Sequence, residues 1–370
     1  MKVLCIFGTR PEGIKMAPVV KELKNRKSIE TVVCVTGQHR EMLDQVLEVF
    51  EIEPDYDLDI FKPGQSLTDI TINSIGGIEK VLEDEKPDVL LVQGDTTTVF
   101  SGALAAFYQK IKIGHVEAGL RTGNIYSPYP EEANRMMVGV LANYHFCPTT
   151  SNRENLLKEG YEDKNIYITG NTVIDALQYT VKEDYKFQEE ILNELDYENE
   201  KIILLTSHRR ENLGEPMENI FKAIRDELEN RPDTRVIFPI HLNPKVREIA
   251  HKAFEDFDRI HFIEPLDYLP FTNLMSRVYL VMTDSGGVQE EAPSLGKPIL
   301  VLRNETERME GIEANTARLV GTDYDVIRKN LKELLDDQDV YESMAKANNP
   351  YGDGTAAKQI VDILEKIKLN

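Results

Sequence analysis

The chain has 370 residues, and its 43 Lys and Arg against 64 Asp and Glu give a formal net charge of -21 at pH 7. An acidic chain without a local basic patch does not gather phosphates by bulk charge, so nucleic acid is not an expected partner. Hydrophobic residues make up 41% of the chain, which is enough to build a sizeable core, and at this length two domains are expected.

The chain starts with a short apolar run, residues 3–7, that ends at Gly8. This run is too short for the core of a signal peptide, and no other segment approaches the length of a membrane span. We therefore expect a cytoplasmic protein that does not associate with membranes. Cys5, Cys34 and Cys147 form no CxxC pair, so we expect reduced core residues rather than metal ligands or disulfides.

Strand-like and helix-like patterns alternate along the first half of the chain. Ile70, Ile78 and Val81, for example, recur near the 3.6-residue period of a helix. Such alternation, with continuously apolar strands, predicts a parallel sheet covered by helices on both faces. The runs rich in Val and Ile that predict its strands are residues 3–7, 31–36, 89–92, 113–116 and 145–147.

The same pattern restarts after residues 181–200, a charged stretch that we predict to be helical. We therefore predict an α/β protein with two doubly wound parallel-sheet domains, residues 1–170 and 171–354. An amphipathic helix at 355–370 follows and packs back on the first domain. The predicted strands of the second domain are residues 202–206, 236–240, 260–263, 278–283 and 299–302.

The first strand leads through a tight turn, GTRPEG, into a helix that carries Arg10 and Lys15. The turn has neither the dinucleotide-binding nor the P-loop spacing of glycines. Two cations beside a helix N-terminus can hold an anionic group. A solvated basic helix start is an equally good interpretation of this segment alone.

Carboxylates follow two further strands, each beside a glycine: Asp95 in QGDTTT and Glu117 in HVEAG. Glycines at strand ends let the backbone approach a ligand, although Asp95 also fits a helix N-cap. A third carboxylate, Glu131, opens a helix with Arg135 four residues on, which by itself is typical of an ordinary i,i+4 ion pair. If the three converge, crowding raises the pKa of at least one and suits acid and base chemistry.

In the second domain, His208 follows a strand between polar and basic neighbours and is placed to contact a phosphate. A purely structural histidine is the alternative. The segment TDSGGVQEE then ends a strand at Ser285 and opens a helix, so its N-H groups and hydroxyl predict a diphosphate site. Glu291 is placed to accept from vicinal hydroxyls, and Arg308 could close over the same phosphates. A turn that binds nothing is the alternative here.

The motifs GTRPEGIKMAP, QGDTTT, HVEAGLRT, PEEANR, SHRREN and TDSGGVQEEAPSLGKP occur in this order. Together they resemble the non-hydrolysing UDP-N-acetylglucosamine 2-epimerases over essentially the whole chain. The resemblance implies two Rossmann-like domains in a GT-B arrangement with the active site in the cleft between them, and a homodimer. It also implies reversible conversion of UDP-GlcNAc to UDP-ManNAc for cell-surface glycan synthesis. The implied route is elimination of UDP to 2-acetamidoglucal followed by its re-addition, with no cofactor. No metal is expected either, since no Cys/His cluster has metal-ligand spacing.

The same resemblance assigns site residues by their motifs. It implies catalytic roles for Asp95, Glu117, Glu131 and His208. It implies contacts of Leu266 and Phe271 with the uracil base. The other residues to which it assigns substrate contacts are Arg10, Lys15, Arg135, Ser285, Gly286, Gly287, Glu291 and Arg308.

Relatives in this family often bind a second UDP-GlcNAc as an effector, and Gln38, His39 and His241 match residues of that site. Glu41 stands where a glutamine is common, and Gly64 where an arginine is common. Losing a neutral donor and a cation disfavours a diphosphate, so we expect weaker activation unless Lys62 substitutes.

Three other functions are compatible with the sequence. A hydrolysing relative releases free ManNAc and UDP from the same intermediate. A GT-B glycosyltransferase shares the diphosphate site but has no need of three carboxylates in the first domain. A nucleotide-sugar binding module without catalysis has no need of Asp95, Glu117 or Glu131.

Overall fold

The computed structural model describes residues 1–367, which form two compact α/β units. One unit holds residues 1–179 together with the chain from Tyr351 onward, and the other holds Thr180–Pro350. The chain passes from the first unit to the second after residue 179, nine residues after the predicted boundary at 170/171. The reason is that the helix Thr172–Thr180 belongs to the first unit for all but its last residue. The chain returns to the first unit after residue 350, four residues before the predicted boundary at 354/355.

The first unit is built on a seven-stranded, all-parallel sheet. Its strands are β1 (Lys2–Phe7), β2 (Glu30–Val35), β3 (Tyr56–Asp57), β4 (Val89–Gln93), β5 (Lys112–Val116), β6 (Tyr144–Cys147) and β7 (Ile166–Ile168). Their order in the sheet is β3-β2-β1-β4-β5-β6-β7. The five predicted strands are confirmed. The edge strands β3 and β7 were not predicted, because two or three residues are too few to give a periodic pattern.

Seven helices cover this sheet: α1 (Arg10–Lys24), α2 (Arg40–Val49), α3 (Leu67–Glu85), α4 (Thr97–Tyr108), α5 (Glu131–Leu141), α6 (Thr150–Lys158) and α7 (Thr172–Thr180). As the period predicted, α3 buries Ile70, Ile78 and Val81. The three cysteines are free thiols buried in the core, which confirms their assignment as core residues.

The second unit repeats the architecture with six parallel strands. They are β8 (Lys201–Thr206), β9 (Thr234–Pro239), β10 (Ile260–Ile263), β11 (Leu280–Thr283), β12 (Ile299–Val301) and β13 (Ala317–Leu319), in the order β10-β9-β8-β11-β12-β13. Its helices are α8 (Glu190–Glu194), α9 (Glu215–Leu228), α10 (Pro244–Ala253), α11 (Tyr268–Arg277), α12 (Gly286–Glu291), α13 (Met309–Glu313), α14 (Tyr324–Asp336) and α15 (Gln338–Ala345). The two doubly wound sheets predicted from the sequence are thus confirmed.

The prediction of a helix over residues 181–200 is wrong, since only the five residues of α8 are helical there. Phe187 and Leu192 are buried in the core of the second sheet, and Tyr185 and Tyr197 pack against the same cluster. These positions do not share a helical period. The chain therefore follows the core surface as an irregular segment, because burying these rings contributes more than local helix propensity.

A last helix, α16 (Ala356–Lys366), belongs to the first unit and packs on α1. It buries Ile360, Val361 and Leu364. The carboxylate of Asp175 accepts hydrogen bonds from the N-H groups of its first two residues, which satisfies donors that a helix start leaves free. Residues 368–370 of the helix predicted at 355–370 lie outside the described residues.

Each sheet has one point where the strand order reverses, between β1 and β4 in the first unit and between β8 and β11 in the second. In open parallel sheets, ligands bind beyond the carboxyl ends of the strands at such points. Of the predicted site residues, Arg10 follows β1, Asp95 follows β4, His208 follows β8 and Ser285 follows β11. Within residues 1–367, none of the helices is long and apolar enough to span a membrane.

Candidate functional site

A buried carboxylate, Glu12, joins the two loops at the switch point of the first unit. Its Oε2 accepts from the N-H groups of Gly8 at 2.5 Å and Thr9 at 3.1 Å, and its Oε1 accepts from the Thr96 hydroxyl. Burial raises the pKa of Glu12 to about 7. The three hydrogen bonds lower this pKa, and the nearby charge of Asp95 raises it further. Sequence reasoning missed Glu12, whose signal is the capping-box spacing Thr-x-x-Glu.

The two predicted anion-binding cations of α1 differ in their surroundings. Arg10 opens the helix, is half-buried and has no hydrogen bond or ion pair within residues 1–367. Lys15 instead forms an ion pair with Glu117. Of the two cations, Arg10 is therefore the one that is available to a ligand, whereas the charge of Lys15 is directed at a predicted catalytic carboxylate.

Glu117 follows β5 directly with a backbone φ of 65°. This left-handed conformation is costly for a residue with a side chain and is found most often at functional sites. Its carboxylate accepts from Nε2 of Gln93 at 3.1 Å and from Nζ of Lys15. With only 12% of its side chain exposed, Glu117 is held in one orientation by donors from two other elements.

Asp95 follows β4 after Gly94, which has a φ of 80°. The N-cap of α4 is Thr96 rather than Asp95, so the alternative interpretation of Asp95 as a helix cap is wrong. The Asp95 carboxylate pairs with Arg135, and its carbonyl accepts from Nδ2 of Asn134 at 2.9 Å. The side chain is therefore free of a capping duty and is fixed beside a cation.

Arg135 joins two carboxylates, and Glu131 is not one of them. Its Nη2 contacts Asp95, and its Nη1 donates to Glu132 at 3.0 Å. Glu132 is fully buried and also accepts from two backbone N-H groups of the loop at residues 122–123. The i,i+4 pair of Glu131 with Arg135 is therefore not formed. Glu131 is half-buried, and its side chain makes no ion pair or hydrogen bond within residues 1–367.

In the second unit, His208 lies against the buried carboxylate of Asp284, with 3.1 Å between His208 Nδ1 and Asp284 Oδ1. The His208 ring stacks on the ring of His241, with the ring centroids 5.6 Å apart. Burial alone would raise the pKa of Asp284, but His208 and two backbone N-H groups hold it below its ordinary value. Sequence reasoning did not single out Asp284, although this residue directly precedes the predicted diphosphate site.

The predicted diphosphate site lies at the start of α12, where Ser285 occupies the N-cap position. The guanidinium of Arg308 packs on Gly286, so that a Cβ there would lie 2.6 Å from Arg308 Nη1. Nε of Arg308 also donates to Glu290 at 2.9 Å. Gly287 faces open space. The structure thus brings Ser285, Gly286, Gly287 and Arg308 together, as the sequence predicted.

The other predicted substrate contacts of the second unit, Glu291, Leu266 and Phe271, lie on or beside α12 and α11. Glu291 is buried at the end of α12, and its charge adds to burial in raising the pKa of Tyr268. Leu266 and Phe271 are half-buried against the core of the sheet at the start of α11. Glu291 therefore lies beside the segment to which the resemblance assigns the uracil base.

Two of the predicted effector residues lie in the first unit. Gln38 accepts from the Thr98 hydroxyl at 2.8 Å, and burial together with the charge of Arg10 lowers the pKa of His39. His241 belongs to the second unit, where burial and the neighbouring His208 lower its pKa.

Of the residues at 1–367, none form a group of three or more that could hold a metal ion.

The family model described as UDP-N-acetylglucosamine 2-epimerase matches residues 21–365. The UDP-N-acetylglucosamine 2-epimerase of Bacillus subtilis (strain 168) is 56% identical over 364 residues, which cover 98% of this chain and 95% of that protein. The structure of UDP-GlcNAc 2-epimerase from Neisseria meningitidis bound to UDP-GlcNAc is 51% identical, with a TM-score of 0.87, and the match covers 99% of this chain and 100% of that one. The enzyme from Methanocaldococcus jannaschii in complex with UDP-GlcNAc and UDP is 35% identical, with a TM-score of 0.79 and 99% of each chain covered.

Proposed function

Since the chain belongs to the UDP-N-acetylglucosamine 2-epimerase family, we propose that it interconverts UDP-GlcNAc and UDP-ManNAc without releasing free sugar. The family predicted from the six motifs is confirmed by these matches. The proposal adds the route, which is elimination of UDP to 2-acetamidoglucal followed by re-addition, and the residues that carry it.

The chemistry of C2 favours this route. No carbonyl neighbours C2, so direct removal of its proton is difficult. When UDP leaves C1 with the electron pair of the C1-O bond, the sugar gains oxocarbenium character and the C2 proton becomes acidic. A carboxylate then takes that proton. Delivery of a proton to the opposite face of C2, with attack of the UDP oxygen on C1, gives the epimer and balances atoms and charge.

The observation that carries the proposal is the set of carboxylates in the first unit. Asp95 and Glu117 follow the neighbouring strands β4 and β5, and each is held by a cation, Arg135 and Lys15 respectively. A proton that leaves one face of C2 and returns to the other needs at least two such groups. We assign acid and base roles to Asp95, Glu117 and Glu131, of which Glu131 makes no ion pair with another residue in the described range 1–367.

The donors of the second unit suit the leaving group. UDP departs with added negative charge, and catalysis of that step requires donors that are already in place. Ser285, Gly286 and Gly287 offer N-H groups at the start of α12, Arg308 packs on Gly286, and the His208 side chain is 39% exposed. We assign the diphosphate to these five residues.

Incubation of UDP-GlcNAc with the protein in deuterated water tests the proposal. The expected product is UDP-ManNAc with deuterium at C2, detected by NMR. Free ManNAc and UDP would identify a hydrolysing enzyme. Absence of exchange at C2 would instead fit a glycosyltransferase or a binding module, and either result would refute the proposal.

The acid and base assignment is tested with Asp95→Asn, Glu117→Gln and Glu131→Gln. Each variant is expected to fold and to lose about two to four powers of ten in turnover, the range for positioned acid-base groups. Glu83→Gln, which alters an exposed carboxylate on α3, is the matched control and should leave turnover unchanged. Near-normal rates in two of the three site variants would contradict the assignment.

A second UDP-GlcNAc bound through Gln38, His39 and His241 and a homodimeric state also form part of the proposal. Both come from the family resemblance. Gln38 is already engaged by Thr98, so an effector would have to compete with, or share, that hydrogen bond.

A further inference from the structure

The side chain of Asp284 collects an unusual number of donors for a single carboxylate. It is fully buried. Its Oδ2 accepts from the backbone N-H groups of His208 at 2.8 Å and Arg209 at 2.9 Å. The Ser207 hydroxyl and Nδ2 of Asn212 each reach the same oxygen at 3.2 Å. A buried carboxylate is tolerated only when such donors compensate for lost hydration.

The second oxygen, Oδ1, depends on one group. Within residues 1–367 it has no hydrogen bond, and Nδ1 of His208, 3.1 Å away, is the group that forms an ion pair with it when the ring is protonated. A buried carboxylate oxygen without a donor is costly, so the free energy favours a proton on Nδ1 that points at Asp284. In both the neutral and the protonated ring, Nε2 is then the nitrogen left for a ligand.

Asp284 also joins the two loops that meet at the switch point between β8 and β11. Its N-H donates to Thr206 O at 3.2 Å, and its carbonyl accepts from Nε of Arg209 at 3.2 Å. The next residue along the chain is Ser285, the N-cap of α12. One residue therefore fixes both the segment that carries His208 and the start of the predicted diphosphate site.

We infer that Asp284 is a positioning residue: it holds a proton on Nδ1 of His208, so that Nε2 is the nitrogen that faces the substrate diphosphate and, in the protonated ring, donates to it. The inference rests on the role proposed above for His208. Asp284 itself does not touch the substrate, because its carboxylate is buried and surrounded by protein donors. Its contribution is to fix the ring in one orientation and one tautomer before the substrate binds, which is preorganisation rather than direct chemistry.

The first experiment reads the tautomer in the wild-type protein. The chain has 7 histidines, so ¹⁵N-histidine labelling gives a small set of imidazole signals, and His208→Gln identifies the one from His208. The expected result is protonation at Nδ1 with an unprotonated Nε2 in the neutral ring. An Nε2-H tautomer would overturn the inference, and this measurement decides it even if no Asp284 variant folds.

The second experiment uses Asp284→Asn, which keeps the shape but removes the obligatory acceptor beside Nδ1. Turnover is expected to fall by about 100-fold or more, as expected for misplacement of a reacting group, with KM changed by less than about threefold. The NMR signal of His208 should lose its Nδ1-H signature. The double variant with His208→Gln should be no slower than His208→Gln alone, because the two residues act as one unit.

Asp175→Asn is the matched control, since Asp175 is also buried but caps α16 and, within residues 1–367, makes no hydrogen bond or ion pair with a histidine. It should change neither turnover nor the His208 signal. An impaired His208→Gln together with an unimpaired Asp284→Asn would overturn the inference alone. Unchanged turnover in His208→Gln would remove His208 from the proposed function and the inference with it.

Discussion

The buried carboxylate of Glu12 allows a quantitative test of the geometry at the first switch point. Its hydrogen-bond donors are two backbone N-H groups and a hydroxyl, all of them neutral. Among the described residues, the ionised carboxylate is therefore buried with no cation among its hydrogen-bond donors. Glu12→Gln removes the charge at every pH, while its amide oxygen can still accept from Gly8 and Thr9 and its NH2 can donate to Thr96.

The expected effect follows from the raised pKa. Burial moves the pKa of Glu12 from 4.5 to about 7 in the folded protein, so between these values the folded state binds a proton that the unfolded state has lost. Glu12 thus contributes stability that is fully present below pH 4.5 and is lost as the pH rises through about 7. Linkage gives a loss of about 2.5 kcal/mol between pH 5 and pH 8 that Glu12→Gln does not share.

The assay is urea unfolding of both proteins at pH 5, 6, 7 and 8, followed by circular dichroism. The difference in free energy of unfolding between wild type and Glu12→Gln cancels the titration of all other groups. Glu83→Gln, at an exposed position, should differ from wild type by less than about 0.5 kcal/mol throughout. If the Glu12→Gln difference is also constant within that margin, the reasoning about burial at Glu12 is refuted.

Three other predictions concern the ligand sites. Gly286→Ala should weaken UDP binding about tenfold or more in calorimetry, because its Cβ would lie 2.6 Å from Nη1 of Arg308 and displace a charged donor; unchanged affinity would contradict the assignment of Arg308. EDTA should leave turnover unchanged, and a loss restored by one divalent ion would show that a metal is required. Added UDP-GlcNAc should only weakly increase the initial rate of conversion of UDP-ManNAc to UDP-GlcNAc, because Glu41 and Gly64 replace groups that suit a diphosphate. An absolute requirement for a trace of UDP-GlcNAc would contradict this.

Both sheets, apart from edge strands such as β3 and β7, and the strand ends that carry several predicted site residues could be predicted from local patterns in the sequence. Apolar runs and glycine turns are local signals, so the strand ends that carry Asp95, Glu117 and His208 could be located without coordinates. Parallel connectivity then places such residues at one edge of each sheet. The segment at residues 181–200 was misassigned because its charged composition resembles a helix, whereas burial of Phe187 and Leu192 depends on the completed core.

Which charged groups form ion pairs could not be predicted from the sequence and depends on the folded chain. Glu131 and Glu132 are adjacent in sequence and both lie within reach of Arg135, and the loop at residues 122–123 selects Glu132 by offering it two N-H groups. Glu12 and Asp284 show the same dependence, since each is buried where two loops distant in sequence converge. A buried carboxylate is stable only where enough donors surround it, and those donors come together only when the chain has folded.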